Sequence, residues 1–285
     1  MCDNLLCHKD ALDLLGLTML IYNIDKEIIF DPSSNKEGFI SSINHREVLD
    51  NIAMSDMRKG ALLDILDSSP NAELLEYISD ADTDLQTAVT ISHAHKRINI
   101  IFRGSESMSD WYYDLSFFKR QMHDDIYVHS GFYNQLTING NDEKITEVVK
   151  KALEEFPDYS IYTCGHSLGG ALCTLYGFVL SEQITNIVNV VSFASPRVGN
   201  SGWKEAFDKK DNLTHIRFTN RNDIVTAFPM ILYNHVGQNI RLEETKCTML
   251  FDYSYSWWDY SLFKCTSVGD HSCDLYYTRL LKNKY

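Results

Sequence analysis

The spacing of apolar residues changes character near residue 85. Upstream, Leu12, Leu15 and Met19 recur at helical intervals, so residues 1–30 read as a helix leading into Ile28-Ile29-Phe30. Residues 31–44, with Pro32, Ser33, Ser34 and Gly38, read as a loop. Residues 45–80 read as helical segments broken at Gly60 and at Ser68-Ser69-Pro70-Asn71. Downstream, two short β-branched runs, Thr87–Ile91 and Ile98–Phe102, flank a His/Lys/Arg turn and predict adjacent strands. A regular alternation follows. Helix 143–156, after a Gly140-Asn141 turn, precedes strand 159–164, helix 170–182, strand 187–194, helix 201–209 and strand 213–219. Strands alternating with helices predict an α/β fold with a mainly parallel sheet covered on both faces. No repeat or low-complexity linker interrupts the pattern, so a single domain over 1–285 is expected, with 1–80 mostly helical.

Within this alternation stands Gly165-His166-Ser167-Leu168-Gly169, between a strand and a helix. That context makes G-x-S-x-G a nucleophile elbow. A sharp turn that strains the serine backbone leaves no room for Cβ atoms two residues to either side. The following helix aims its positive dipole end and free N–H groups at an oxyanion forming there. A glycine-rich turn with a capping serine is the plainer alternative.

A serine nucleophile needs a base, and the base needs an orienting acid. On such a fold they follow in the order Ser, Asp/Glu, His. Asp223 lies directly after strand 213–219, and His271 lies in the last loop before a C-terminal helix, 273–283. His271 would take the Ser167 proton and return it to the leaving alcohol, while Asp223 fixes the imidazole tautomer. Asp270, beside His271, reads as a loop-capping or solvated residue, and His166 reads as structural, pointing away from the base. His93 and His95 read as a surface turn, with nothing nearby to complete a metal site. Two N–H donors are needed for the oxyanion. Leu168 supplies one, and Ser105, in the loop after strand 98–102, the other.

The segment after Ser105 is amphipathic. Trp111, Leu115 and Phe118 fall on one stripe, widened by Tyr112, while Ser109, Asp110 and Asp114 are polar. Periodicity alone reads it as an ordinary core-facing helix, with a lid over the site as the alternative. A second aromatic cluster, Phe251 to Phe263 with Trp257 and Trp258, fits an acyl groove, an interface or a buried strand equally well.

Composition narrows the partners. The 285 residues are 44% hydrophobic, enough for one large core, and carry a net charge of −13. Basic residues run no longer than pairs such as Lys119-Arg120, which argues against nucleic acid and against anionic membrane surfaces. Seven cysteines with no C-x-x-C pair give no zinc framework. Cys164 and Cys173 read as small buried hydrophobes, and a Cys265–Cys273 bridge stays open. No apolar stretch reaches the roughly 18 residues of a membrane span. Leu14–Tyr22 lacks the basic leader and small-residue cleavage site of a secretory signal, so a cytoplasmic location is expected, with secretion as the alternative.

Several strings, taken in order, resemble one family. They are Phe102-Arg103-Gly104-Ser105, Trp111 with Asp114, Val128-His129-Ser130-Gly131-Phe132, and the elbow through Gly170. Phe193 to Asn200, Asn222-Asp223-Ile224-Val225 and Asp270-His271 complete them. The chain resembles the class 3 lipases, fungal-lipase-like α/β-hydrolases. The resemblance implies hydrolysis of glycerolipid acyl esters at an oil–water or membrane interface, with no metal or other cofactor. It implies Ser167, Asp223 and His271 as the triad and Ser105 and Leu168 as oxyanion donors. It also implies 106–118 as a lid whose Trp111, Tyr112, Leu115 and Phe118 contact the acyl chain. Phospholipase A1 or another carboxylesterase is the alternative within that chemistry, and a non-catalytic scaffold the alternative outside it. Two departures stand out: Thr226 where the family often has proline, and Asp274 where it commonly has a tyrosine three residues after the histidine. The odd cysteine count and lack of a clear signal resemble the intracellular branch more than the secreted, disulfide-linked fungal enzymes.

Overall fold

The computed structural model describes residues 6–23, 55–69, 72–105, 118–250 and 267–285. Helix α1 (His8–Leu20) buries Ala11, Leu14, Leu15 and Met19 and closes in a 3₁₀ turn, Ile21–Asn23. Residues 24–54, which include the expected loop and Ile28–Phe30, lie outside the described residues. Helix α2 (Asp56–Ser68) starts on Ser55, whose hydroxyl accepts from Arg58 N–H, and packs against α1. It runs straight through Gly60, which faces open space. A glycine in a helix costs only about 1 kcal/mol, so the neighbouring turns carry it.

Helical structure then stops earlier than the pattern predicts. Residues Ala72–Asp80 form a strand, β1, paired antiparallel along its length with β2 (Leu85–Ser92). Ala, Glu and Leu favour a helix locally, but the ladder offered by β2 outweighs that preference. A register shift between Leu74 and Glu76 bends this edge strand.

β1 and β2 lead into β3 (Arg97–Phe102), β6 (Ser160–His166), β7 (Val188–Phe193), β8 (Leu213–Asn220), β9 (Gln238–Leu242) and β10 (Cys247–Leu250). These form one eight-stranded sheet in that order. From β3 to β9 neighbouring strands run parallel, and the outer pairings are antiparallel. A two-stranded hairpin, β4 (Lys119–His123) and β5 (Ile126–His129), stands apart from this sheet.

Side chains along β3 alternate between two cores. Ile98, Ile100 and Phe102 enter the layer with α3 (Ser130–Thr137), α4 (Asn141–Glu155), α5 (Leu168–Ser181) and α6 (Ser201–Asp208). Ile101 enters the layer with α1, α2 and the last helix, α7 (Cys273–Lys282). Coverage on both faces explains why the inner strands read as continuous apolar runs. It also leaves one place for chemistry. β3, β6 and β8 are parallel, so the loops holding Ser105, Ser167 and Asp223 all leave the same end of the sheet. No helix among the described residues is long and apolar enough to cross a membrane.

Candidate active site

Ser167 adopts φ 59°, ψ −124°, a conformation that L-residues rarely hold. Close packing sustains it. A Cβ on Gly165 would collide with the Gly169 backbone, and one on Gly169 with the Phe102 carbonyl. Ser167 N–H donates to Phe193 O at 3.0 Å, tying the elbow to β7. Helix α5 begins at the next residue. The first N–H groups of a helix lack intrahelical acceptors, so Leu168 N–H is left to face the space beside Ser167.

The second half of the site is a buried carboxylate–imidazole hydrogen bond. Asp223 is fully buried after β8, and its Oδ1 and Oδ2 each lie 3.0 Å from His271 Nδ1. Val225 N–H donates to Oδ1 at 2.9 Å, and the Tyr276 hydroxyl donates to Oδ2 at 2.7 Å. Tyr276 in turn accepts Asn220 N–H at 2.8 Å. Burial, followed by the Asp223 charge, raises the Tyr276 pKa, so it stays a protonated donor. The 3₁₀ turn Gly269–His271 carries the base, and an isolated parallel bridge between Asp223 and Ser267 sets that segment beside the acid. With Nδ1 facing the carboxylate, Nε2 is left as the free nitrogen. It is buried, with no hydrogen-bond partner among the described residues. Asp223 and His271 are thus joined directly, whereas the Ser167 hydroxyl is not hydrogen-bonded to Nε2. Such contacts are often long before substrate arrives.

Tyr276 escaped sequence reasoning. The tyrosine looked for three residues after the histidine is supplied two residues later, one turn into α7. Asp274, at the looked-for position, instead pairs with Arg58 of α2 at 3.1 Å. His166 also differs from expectation. Its ring does not point away from the base: the two ring centroids are 4.7 Å apart, and His166 Nε2 lies 2.7 Å from the His271 carbonyl. Asp270 turns to Arg279, 3.0 Å away, and is not a second acid for His271.

Gly104, after β3, lies against Ser167. A Cβ there would fall 3.4 Å from the Ser167 Cβ and would collide with the His166 carbonyl. Ser105 follows it directly. Trp111, Tyr112 and Leu115 of the segment expected to form a lid, and the 251–263 cluster, lie outside the described residues. Phe118 is described, and is 75% exposed.

Other candidate chemistry resolves into structure. His93 binds the Tyr159 hydroxyl at 2.9 Å, and His95 Nε2 lies 3.0 Å from the Ser68 carbonyl. Asp10, Asp13 and His95 bring three ligand atoms together, but Arg97 already faces both carboxylates, at 3.2 and 3.7 Å. Its charge stands where a cation would. The five described cysteines are free, and burial pushes the Cys164 and Cys273 thiols up to about 12, far from a reactive thiolate.

A mainly parallel sheet covered on both faces, with a strained serine in the sharp turn after one of its inner strands, is the α/β-hydrolase fold. The family model for lipase (class 3) matches residues 99–233. Secreted mono- and diacylglycerol lipase A of Penicillium cyclopium is 28% identical over 156 residues, 54% of this chain and 50% of that protein. Phospholipase A1-IIgamma of Arabidopsis thaliana is 26% identical over 206 residues, 62% of this chain and 48% of that one. The chain therefore spans about half the length of these relatives. Among solved structures, the lipase of Rhizopus microsporus var. chinensis shares the fold at TM-score 0.71. It is 23% identical and covers 93% of this chain and 85% of that one.

Proposed function

We propose that this chain is a serine hydrolase of glycerolipid acyl esters, with Ser167, Asp223 and His271 as its triad. The observation that carries the reading is the buried Asp223–His271 pair with Nε2 left free, at the sheet end where Ser167 is strained. Ser167 Oγ attacks the acyl carbon and its proton passes to His271 Nε2. The carbonyl oxygen becomes an oxyanion, received by the N–H groups of Ser105 and Leu168. The tetrahedral species collapses as the acyl C–O bond breaks, and His271 gives its proton to the departing alcohol. Water then adds to the acyl-serine and loses a proton to Nε2, and as the acyl C–Oγ bond breaks His271 returns that proton to Ser167 Oγ, releasing the fatty acid. Asp223 stays ionised throughout and stabilises the imidazolium. These side chains alone supply the protons moved, and no cofactor enters the scheme.

Segment 106–118 serves as the lid, its Trp111, Tyr112, Leu115 and Phe118 meeting the acyl chain. Acylglycerols are the favoured substrates. A relative named as a mono- and diacylglycerol lipase supports this, and the net charge of −13 weighs against anionic phospholipid surfaces. Phospholipase A1 activity is the second reading, favoured by the relative of that name. The Penicillium relative is named as secreted, which supports secretion over the cytoplasmic location expected from sequence.

The test is a panel of tri-, di- and monoacylglycerols and phospholipids, assayed below and above substrate solubility. Wild-type protein is expected to release fatty acid from acylglycerols, and Ser167→Ala to lose at least about a thousandfold in kcat. A wild type inert on the whole panel overturns the enzyme reading, and a rate blind to the solubility limit overturns the lid.

A further inference from the structure

The chemistry proposed for Ser167 uses neither His166 nor Tyr22, yet both are tied into the site. His166 is buried, and its Nε2 lies 2.7 Å from the His271 carbonyl oxygen. A carbonyl only accepts, so Nε2 must carry the proton. A neutral imidazole has one N–H, which leaves Nδ1 as an acceptor. The Tyr22 hydroxyl lies 3.4 Å from Nδ1 and must then be the donor. The Tyr22 oxygen sits against Gly104, the residue before Ser105, with the Gly104 backbone N–H turned toward it. Gly104 itself sits so tightly that a Cβ would collide with the Tyr22 hydroxyl. One row of contacts therefore runs from the oxyanion loop to the base, and the His271 carbonyl dictates the direction of both hydrogen bonds that His166 makes.

We propose that Tyr22 and His166 are positioning residues that lock the oxyanion loop and the His271 backbone into one geometry around Ser167. The inference rests on the hydrolase reading of that site. His271 Nδ1 is already committed to Asp223, so the side chain can pivot only about its own backbone. The bond from His166 to the His271 carbonyl removes that freedom. At the other end, the Tyr22 hydroxyl fixes the peptide preceding the Ser105 donor. Misplacement of reacting groups by about 1 Å costs on the order of a hundredfold in rate. The row works in one protonation state alone. A proton on Nδ1 would face the Tyr22 donor, and burial, followed by the nearby His271, drives the His166 pKa well below its ordinary value. Packing alone would ask less. A buried ring of that shape needs neither a fixed tautomer nor a hydroxyl at Tyr22.

Three variants and two measurements separate these roles. Tyr22→Phe keeps the ring and removes the relay. His166→Gln keeps a donor that reaches the His271 carbonyl but offers nothing to Tyr22. His166→Leu removes both. With a soluble p-nitrophenyl ester, Tyr22→Phe and His166→Gln should each lower kcat about tenfold with KM within about twofold, consistent with the loss of one net hydrogen bond. The double variant should be no worse than either single one, because both break the same row. His166→Leu should lose about a hundredfold. Nitrogen-15 NMR of the histidines should show His166 as the pure Nε2–H tautomer in the wild type, with the Nδ1 shift moving toward that of an acceptor without a hydrogen bond in Tyr22→Phe and with His166→Gln assigning the signal. Wild-type kcat in Tyr22→Phe, an unmoved Nδ1 shift, or fully additive losses would each overturn the proposal. If the wild type cleaves no ester, the hydrolase reading fails, and the tautomer measurement still decides whether the row exists.

Discussion

Ser167 is fixed by backbone packing, whereas His271 is fixed by side chains drawn from several separate elements. At the elbow, Gly165, Gly169 and the Phe102 carbonyl leave the serine a single place to be. Around the base, Asp223 comes from the loop after β8, Tyr276 from α7 and His166 from β6. The Asn220 side-chain amide adds a hydrogen bond, donated to the Asp270 carbonyl at 2.7 Å. Steric positioning fails all at once when an atom is added. Hydrogen-bonded positioning degrades by degrees as partners are removed. The two halves of the proposed reaction centre should therefore respond differently to mutation.

The harshest blow to the steric half is Gly169→Ala. Its Cβ meets the backbone of Phe102, which cannot rotate aside, so urea denaturation should show a loss of about 3 kcal/mol or more and activity should vanish with it. Tolerance of that methyl group would mean the elbow is not over-determined. Acid strikes the other half next. Burial drives the pKa of His166, His215 and His235 well below the ordinary value. Below about pH 6.5 the unfolded chain takes up protons that the folded chain refuses. Stability is therefore complete above that pH and falls beneath it, by up to about 1.4 kcal/mol per pH unit for each histidine. A urea midpoint that holds steady from pH 7 to pH 5 would falsify this. Mildest is Tyr276→Phe, which strips one donor from Asp223 and leaves Asn220 N–H without its acceptor. It should cost about 1–3 kcal/mol in stability and roughly tenfold in kcat/KM. A loss as total as that of Gly169→Ala would erase the contrast between the halves.

The contrast also governs what can be read from the chain. The steric half is spelled locally. Gly165, Ser167 and Gly169 sit within five residues, and the apolar alternation around them marks the strand and the helix. The pairing of Asp223 with His271, 3.0 Å apart in the structure, could be anticipated because they follow a strand and precede a helix in the order the elbow calls for. Tyr276 and the true orientation of His166 were not legible. Their roles depend on which distant groups α7 and β6 bring within 3 Å, and no local pattern encodes that. Strand β1 was misread for a related reason. Ala72–Asp80 carries good helix formers, and only its pairing with β2 makes it a strand. The hairpin β4–β5 and the strands β9 and β10 went unpredicted as well.

The collision that fixes Ser167 has a consequence for the order of folding. Phe102 belongs to β3, which meets β6 only after the chain has passed through α3 and α4. Parallel pairing of strands so far apart is among the slower steps a chain can take, since a long loop must close before any contact rewards it. The strained serine therefore cannot exist in an early intermediate. Strand 160–166 and its helix, excised as a peptide, would have nothing to hold the turn, and the serine would relax into an ordinary alcohol. Nucleophilicity should arrive late, with the closing of the sheet, and its appearance under refolding would time that event.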